Sequence, residues 1–143
     1  SSEMKSDDFE KKYITVVKGI IKDDENTINE PIYRPTDDSI KRVVDPRGQE
    51  SITHYKVLER LNDATVVEVK LETGRTHQIR VHMAHIGHPI IGDELYGYVD
   101  ENLIKRQALH AYGLKFKQPR TKEVLAFKAE IPDDMKILIE KLR

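Results

Sequence analysis

Leu71-Glu72-Thr73-Gly74-Arg75-Thr76-His77-Gln78-Ile79-Arg80-Val81-His82 decides the reading of the fold, because the hydrophobic period changes inside it. Up to Leu71 the chain alternates, with Val67, Val69 and Leu71 on one face and Glu68 and Lys70 on the other, which is the period of a strand. Beyond Thr73-Gly74, Ile79, Met83 and Ile86 recur at helical spacing. Thr73 or Thr76 offers an N-cap, and Gly87 followed by Pro89 is a stop signal, so the spacing predicts a helix over about Thr76 to Ile86. A glycine turn feeding a helix N-terminus, with Arg75 in the turn and Arg80 one turn in, can hold an anion through N–H groups, helix dipole and guanidinium together. Arg80 borders the Ile79–Met83–Ile86 face, at the edge of buried packing, where an arginine needs a carboxylate or phosphate partner. An ordinary internal salt bridge meets that need equally well.

Working outward, Ile52–Leu58 and Thr65–Leu71 read as a hairpin joined through Asn62-Asp63. Upstream, Tyr13 to Gly19 is β-branched and aromatic and ends on glycine, a further strand. Residues 22–50 are the least regular, with acids at 23–25 and Pro31, Pro35, Pro46 and Gly48, and are expected to be loops with short extended pieces. Downstream, Tyr112–Lys117 alternates, a Gln118–Thr121 turn follows, and Glu123–Glu130 completes a second hairpin. Pro132, then Asp133 and Asp134, open a C-terminal helix carrying Met135, Leu138, Ile139 and Leu142 on one face, with Lys141 and Arg143 at its end. The sum is an α+β fold on a mixed, mostly antiparallel sheet. Residues 1–11 read as a flexible lead-in and 12–143 as one domain.

The 143 residues, 38% of them apolar, suffice for one core. The absence of cysteine excludes disulfides, thiolate metal sites and cysteine nucleophiles, and fits a reducing, cytoplasmic compartment. No apolar run approaches the roughly 20 residues of a membrane helix. Five of the six histidines fall between His77 and His110, which raises a metal site. His77 and His82 stand about 140° apart on a helix, and none of the five has the two-His, one-Glu spacing of a zincin helix, so packing and hydrogen bonding are preferred. The net charge of -1 argues at first against a nucleic-acid partner. It conceals a segregation. Residues 73–92 and 102–122 hold Arg75, Arg80, Lys105, Arg106, Lys115, Lys117, Arg120 and Lys122 and no acid, while the remainder is net acidic.

The stretch from Leu71 to His82, followed by Gly87-His88-Pro89-Ile90, Gly92-Asp93 and Tyr96-Gly97, closely resembles the signature of the RluA-like pseudouridine synthases. Lys12-Tyr13 through Gly19 resembles that family's tyrosine-bearing strand. Gly48, Ser51, Thr53, Tyr55, Val57 and Leu58 resemble its next strand, and Arg106, Leu109-His110-Ala111, Leu114, Phe116 and Pro119 its closing hairpin. The resemblance implies isomerisation of a uridine in structured RNA, ribosomal or transfer RNA, from an N-glycoside to a C5-glycoside, without cofactor or metal. It implies an essential aspartate carboxylate, Tyr13 stacked on the uracil and assisting C5 proton removal, and Arg80 pairing with that aspartate. It further implies a flipped target base and substrate contacts from Arg75, Thr76, His77, Gln78, His82, Lys105, Arg106 and His110.

One element of the family pattern is missing. Its Arg-Leu-Asp motif, which precedes the tyrosine strand, has no match in these residues. Arg60-Leu61-Asn62-Asp63 is an echo in the wrong place, a hairpin turn after Tyr13, and gives Asp63 no catalytic role. With the Ser1-Ser2-Glu3 start, the expectation is the C-terminal part of a catalytic domain, inactive alone and monomeric, with a noncatalytic RNA-binding module as the alternative.

Overall fold

The computed structural model describes residues 9–117 and 124–143, and the side chains of 10–113 and 129–143. Among the described residues eight strands and two helices follow in order: β1 (Phe9–Lys18), β2 (Glu25–Asn29), β3 (Ile32–Tyr33), β4 (Val43–Val44), β5 (Ile52–Arg60), β6 (Ala64–Leu71), α1 (Gln78–His85), β7 (Leu109–Lys117), β8 (Val124–Lys128) and α2 (Asp133–Leu142). Six strands form one sheet in the order β2-β5-β6-β1-β7-β8, and every described pairing in it is antiparallel. The fold is thus α+β, as expected. β3 and β4 pair separately as a small ribbon within the irregular 22–50 region.

Both expected hairpins form. In the first, Leu61 N–H donates to Ala64 O and Asp63 adopts a left-handed conformation (φ 51°), which a short polar side chain tolerates. Lys18 Nζ reaches the Asp63 carboxylate at 2.7 Å, so Asp63 is a turn residue. The Gln118–Thr121 turn lies outside the described residues. Structure starts earlier than expected. Phe9, Glu10 and Lys11 already pair with β7, within the stretch expected as a lead-in.

β1 lies at the centre, between β6 and β7, which are far from it and from each other in sequence. Val16 and Val17 are both fully buried, as are Val67 and Val69. Consecutive strand residues point to opposite faces, so β1 is covered on both sides. Thr53 of β5 bonds to Gln78 and His82, which fixes α1 over the face shared by Thr53, Leu71, Val69 and Tyr13. α2 buries Met135, Leu138 and Ile139 in the same core, and Asn62 N–H and Lys141 tie its end to neighbouring chain segments. Burying each such side chain is worth about 1.5–3 kcal/mol.

The α1 helix is shorter than the spacing predicts and has a different cap. It begins at Gln78, and its N-cap is His77 in a left-handed conformation (φ 59°) with no side-chain cap bond. Thr73 is committed elsewhere: its hydroxyl accepts from Ile52 N–H and donates to Gln78 Oε1. Gly87 does end the helix, with φ 88°.

Candidate functional site

Arg80 projects from the first turn of α1 toward the 89–97 loop. Its Nε and Nη2 each donate to Asp93, both at 2.9 Å, in a bidentate pair. Asp93 is fully buried, and its Oδ1 also accepts from the N–H groups of Leu95 and Tyr96. Burial pushes the Asp93 carboxyl upward, but Arg80 and the two N–H donors outweigh it and hold the group below its ordinary value. The same pair keeps the Arg80 guanidinium protonated. Gly92 lets this loop pass against the Arg106 backbone: its φ is +86°, and a β-carbon there would lie 2.1 Å from Arg106 O. The carboxylate partner that the resemblance implies for Arg80 is absent from these residues. Asp93 meets the need instead, and the Nη1 edge stays outside that pair.

Tyr96 joins this pair to the β3–β4 region. Its ring lies 5.1 Å from the Arg80 guanidinium carbon, and its hydroxyl accepts from Arg42 N–H at 2.8 Å. The same hydroxyl is hydrogen-bonded to His77 Nδ1, 2.7 Å away. Burial lowers the His77 pKa, and the charges of Arg80 and Arg42 lower it further.

Beyond Tyr96 opens a groove of about 410 Å³ whose walls include Arg34, Arg42, Arg47, Arg75, Thr76 and Tyr33. Three of these arginines are anchored by neutral oxygens. Arg34 Nε donates to Ser39 O, Arg42 Nη1 to Ser39 O and Ile40 O, and Arg75 Nε to Glu50 O, at 2.7–3.1 Å. Carbonyls position a guanidinium without cancelling its charge. Arg47 differs, holding Asp45 through two 2.9 Å bonds while its guanidinium carbon lies 4.4 Å from the Tyr33 ring centre. A larger cleft, about 590 Å³ along β2 and β5, mixes Glu25 and Glu68 with Lys56 and Lys70. Its mixed charge sets it apart from the arginine groove.

The residues singled out in the sequence separate into groups. Arg75 and Thr76 line the groove, and Arg80 and His77 adjoin it through Tyr96. Tyr13 lies on the sheet face that α1 covers, partly buried, with Lys11 Nζ 5.5 Å from its ring centre. Among the described residues no hydrogen bond joins it to Arg80. Gln78, 2% exposed, accepts from Thr73 and Arg75 and donates to Ile52 O and Thr53 Oγ1. His82, fully buried, places Nδ1 on Thr53 and Nε2 on Glu30 O. Arg106 is drawn to α2, bidentate on Asp134 at 2.8 and 3.0 Å, and Lys105 beside it is exposed. His110 pairs with Ile14 and therefore faces the side of the sheet opposite Tyr13. Sequence reasoning misses Arg34, Arg42, Arg47, Asp93 and Tyr96 as site residues. Gly92-Asp93 and Tyr96 do stand within the signature stretch, but nothing in the sequence brings the 34–47 arginines to Arg75.

An antiparallel sheet backed by a short helix, with the buried Arg80–Asp93 pair beside an arginine-lined groove, defines an α+β protein. Comparison with known proteins is specific. The family described as RNA pseudouridylate synthase matches residues 1–85, more than half of the chain, and the chain belongs to that family. "Uncharacterized RNA pseudouridine synthase YlyB" of Bacillus subtilis (strain 168) is 50% identical over 133 residues, covering 93% of this chain and 44% of the relative. "Ribosomal large subunit pseudouridine synthase D" of Buchnera aphidicola is 41% identical over 150 residues, covering 93% and 48%. Among solved structures, "Human RNA Pseudouridylate Synthase Domain Containing 1" aligns with a TM-score of 0.74 at 30% identity, covering 90% of this chain and 56% of that one. The chain spans about half the length of the curated relatives it matches.

Proposed function

We propose that this chain supplies the arginine-bearing part of a pseudouridine synthase active site, and that its substrate is structured RNA, with ribosomal RNA favoured over transfer RNA. The observation that carries the reading is the set Arg34, Arg42 and Arg75, held by neutral carbonyls around one groove with no ion pair among the described residues. Phosphates neutralise such groups and position the duplex, while the reaction needs one uridine drawn out of its stack. The names of relatives such as the large-subunit enzyme of Buchnera aphidicola favour ribosomal RNA.

In this reading Asp93 aims Arg80, whose remaining edge meets the catalytic aspartate of the whole enzyme, and Tyr13 stacks on the uracil. Arg75, Thr76, His77 and Lys105 contact RNA. Gln78, His82 and Arg106 brace the fold. No metal or cofactor is required by this chemistry, and the working unit is a monomer in the cytoplasm. These 143 residues contain no Arg-Leu-Asp motif, so the chain alone is expected to be inactive.

Release of tritium from C5-labelled uridine in ribosomal RNA tests both parts. The whole enzyme should release it, Arg80→Ala should abolish release far more than Arg75→Lys does, and the 143-residue chain should release none. Equal rates for Arg80→Ala and the unmodified enzyme would remove Arg80 from the site. Release by the chain alone would show that the missing aspartate is dispensable. RNA binding by a whole protein that releases no tritium would favour a noncatalytic binding module.

A further inference from the structure

We propose that Ile40 is a wedge that enters a base step of the RNA lying in the arginine groove, an inference that rests on the RNA-binding reading above. Ile40 is the most exposed large apolar side chain among the described residues, at 72%, against 53% for Ile137 on α2. Single exposed apolar residues are ordinary on protein surfaces. Ile40 is set apart by the stiffness of its support and the charge around it.

The turn that presents it is closed by Ser39 N–H on Thr36 O at 3.1 Å, by Thr36 N–H on Ser39 Oγ at 3.2 Å, and by the two hydroxyls 2.8 Å apart. Arginines then clamp it from both sides. Arg34 and Arg42 each donate to Ser39 O at 3.1 Å, and Arg42 Nη1 donates to Ile40 O at 2.7 Å. The Arg42 backbone is itself fixed to Tyr96 Oη, next to Arg80. The carbonyls on and beside the isoleucine are thus occupied by the guanidinium groups that flank the groove. A β-branched side chain on such a platform loses little freedom on insertion.

The turn also carries Asp37 and Asp38, and Asp45 neutralises Arg47, but Arg34, Lys41, Arg42 and Arg75 still outnumber the two carboxylates of the turn on the adjoining chain and groove. That balance selects a polyanion over an apolar protein surface as the occupant. Apolar wedges inserted between bases unstack the step and kink the helix, and phosphate contacts on either side set their register. A base leaving its stack opens a gap, and a rigid isoleucine between two phosphate-binding arginines is placed to fill it.

The test uses the 143-residue chain with protein-free large-subunit ribosomal RNA. Hydroxyl-radical cleavage maps the protected backbone, and base-specific reagents, dimethyl sulfate and carbodiimide, report unstacked bases. The unmodified chain should give a backbone footprint containing a hyperreactive base step. Ile40→Ala should keep the footprint, lose the hyperreactivity and raise Kd about tenfold. Ile40→Leu should restore both, and Ile137→Ala should change neither. An unchanged reactivity pattern with Ile40→Ala overturns the wedge while leaving RNA binding intact. A shift in Tm or self-association with Ile40→Ala would mark a protein contact and also overturn it. No footprint from the unmodified chain would remove the RNA-binding reading, and the wedge with it.

Discussion

Arg80 spends its guanidinium on Asp93 inside the protein, whereas Arg34, Arg42 and Arg75, on the other side of Tyr96, spend theirs on backbone carbonyls and keep their charge. The side chain of Arg80 is 16% exposed and its partner is completely buried. The difference separates two uses of one residue type. A buried arginine is stable only with a carboxylate, and the bidentate pair fixes its direction. A groove arginine needs only to be oriented, because water solvates its charge until a phosphate arrives.

The comparison is broken most severely at Asp93. Asp93→Ala leaves Arg80 without its counter-charge and strands the N–H groups of Leu95 and Tyr96, so urea unfolding should show a loss of about 3 kcal/mol. A loss below about 1 kcal/mol would place Arg80 in water and erase the distinction. The groove should respond in the opposite sense. Arg34→Ala with Arg75→Ala should leave Tm nearly unchanged, weaken RNA binding about tenfold per arginine, and reduce the salt slope by about one for every phosphate that is no longer neutralised. An unaltered slope would show that these arginines do not meet phosphates.

Tyr96→Phe severs the bridge between the two regions. It removes the acceptor for Arg42 N–H and the partner of His77 Nδ1, costing about 1 kcal/mol in unfolding experiments while the Arg80–Asp93 pair persists. The smallest effect near neutrality is that of pH. His77 and His82 have folded-state pKa values lowered chiefly by burial. Below about pH 6.5 the unfolded chain therefore binds protons that the folded chain refuses, and stability falls as pH drops toward the folded values. Thermal melts across that window should show the decline, and His82→Gln should flatten it. A Tm that rises on acidification would contradict the lowered pKa values of both rings.

Local pattern made much of this molecule legible. Alternation marked β5, β6 and β7, the change of period after Gly74 marked α1, and Pro132 with Asp133 and Asp134 marked the start of α2. Local pattern failed where a side chain had a stronger distant partner. Thr73 looked like a cap, but Ile52 N–H and Gln78 claim its hydroxyl, and His77 takes the cap position in a left-handed conformation. Arg106 stood in an acid-free window, yet Asp134, 28 residues on, neutralises it. Acid-free stretches of chain are not acid-free surfaces.

The α+β class, the hairpins, the helix carrying Arg80 and the family signature around it are legible along the chain, because each depends on residues near one another in it. Packing between distant segments makes β1 a central strand, gives Arg80 its partner Asp93, and brings Arg34, Arg42 and Arg47 to Arg75. Those outcomes depend on which distant segments pack together. A charge acquires its meaning from the partner it meets there, and the linear order of residues does not carry that information.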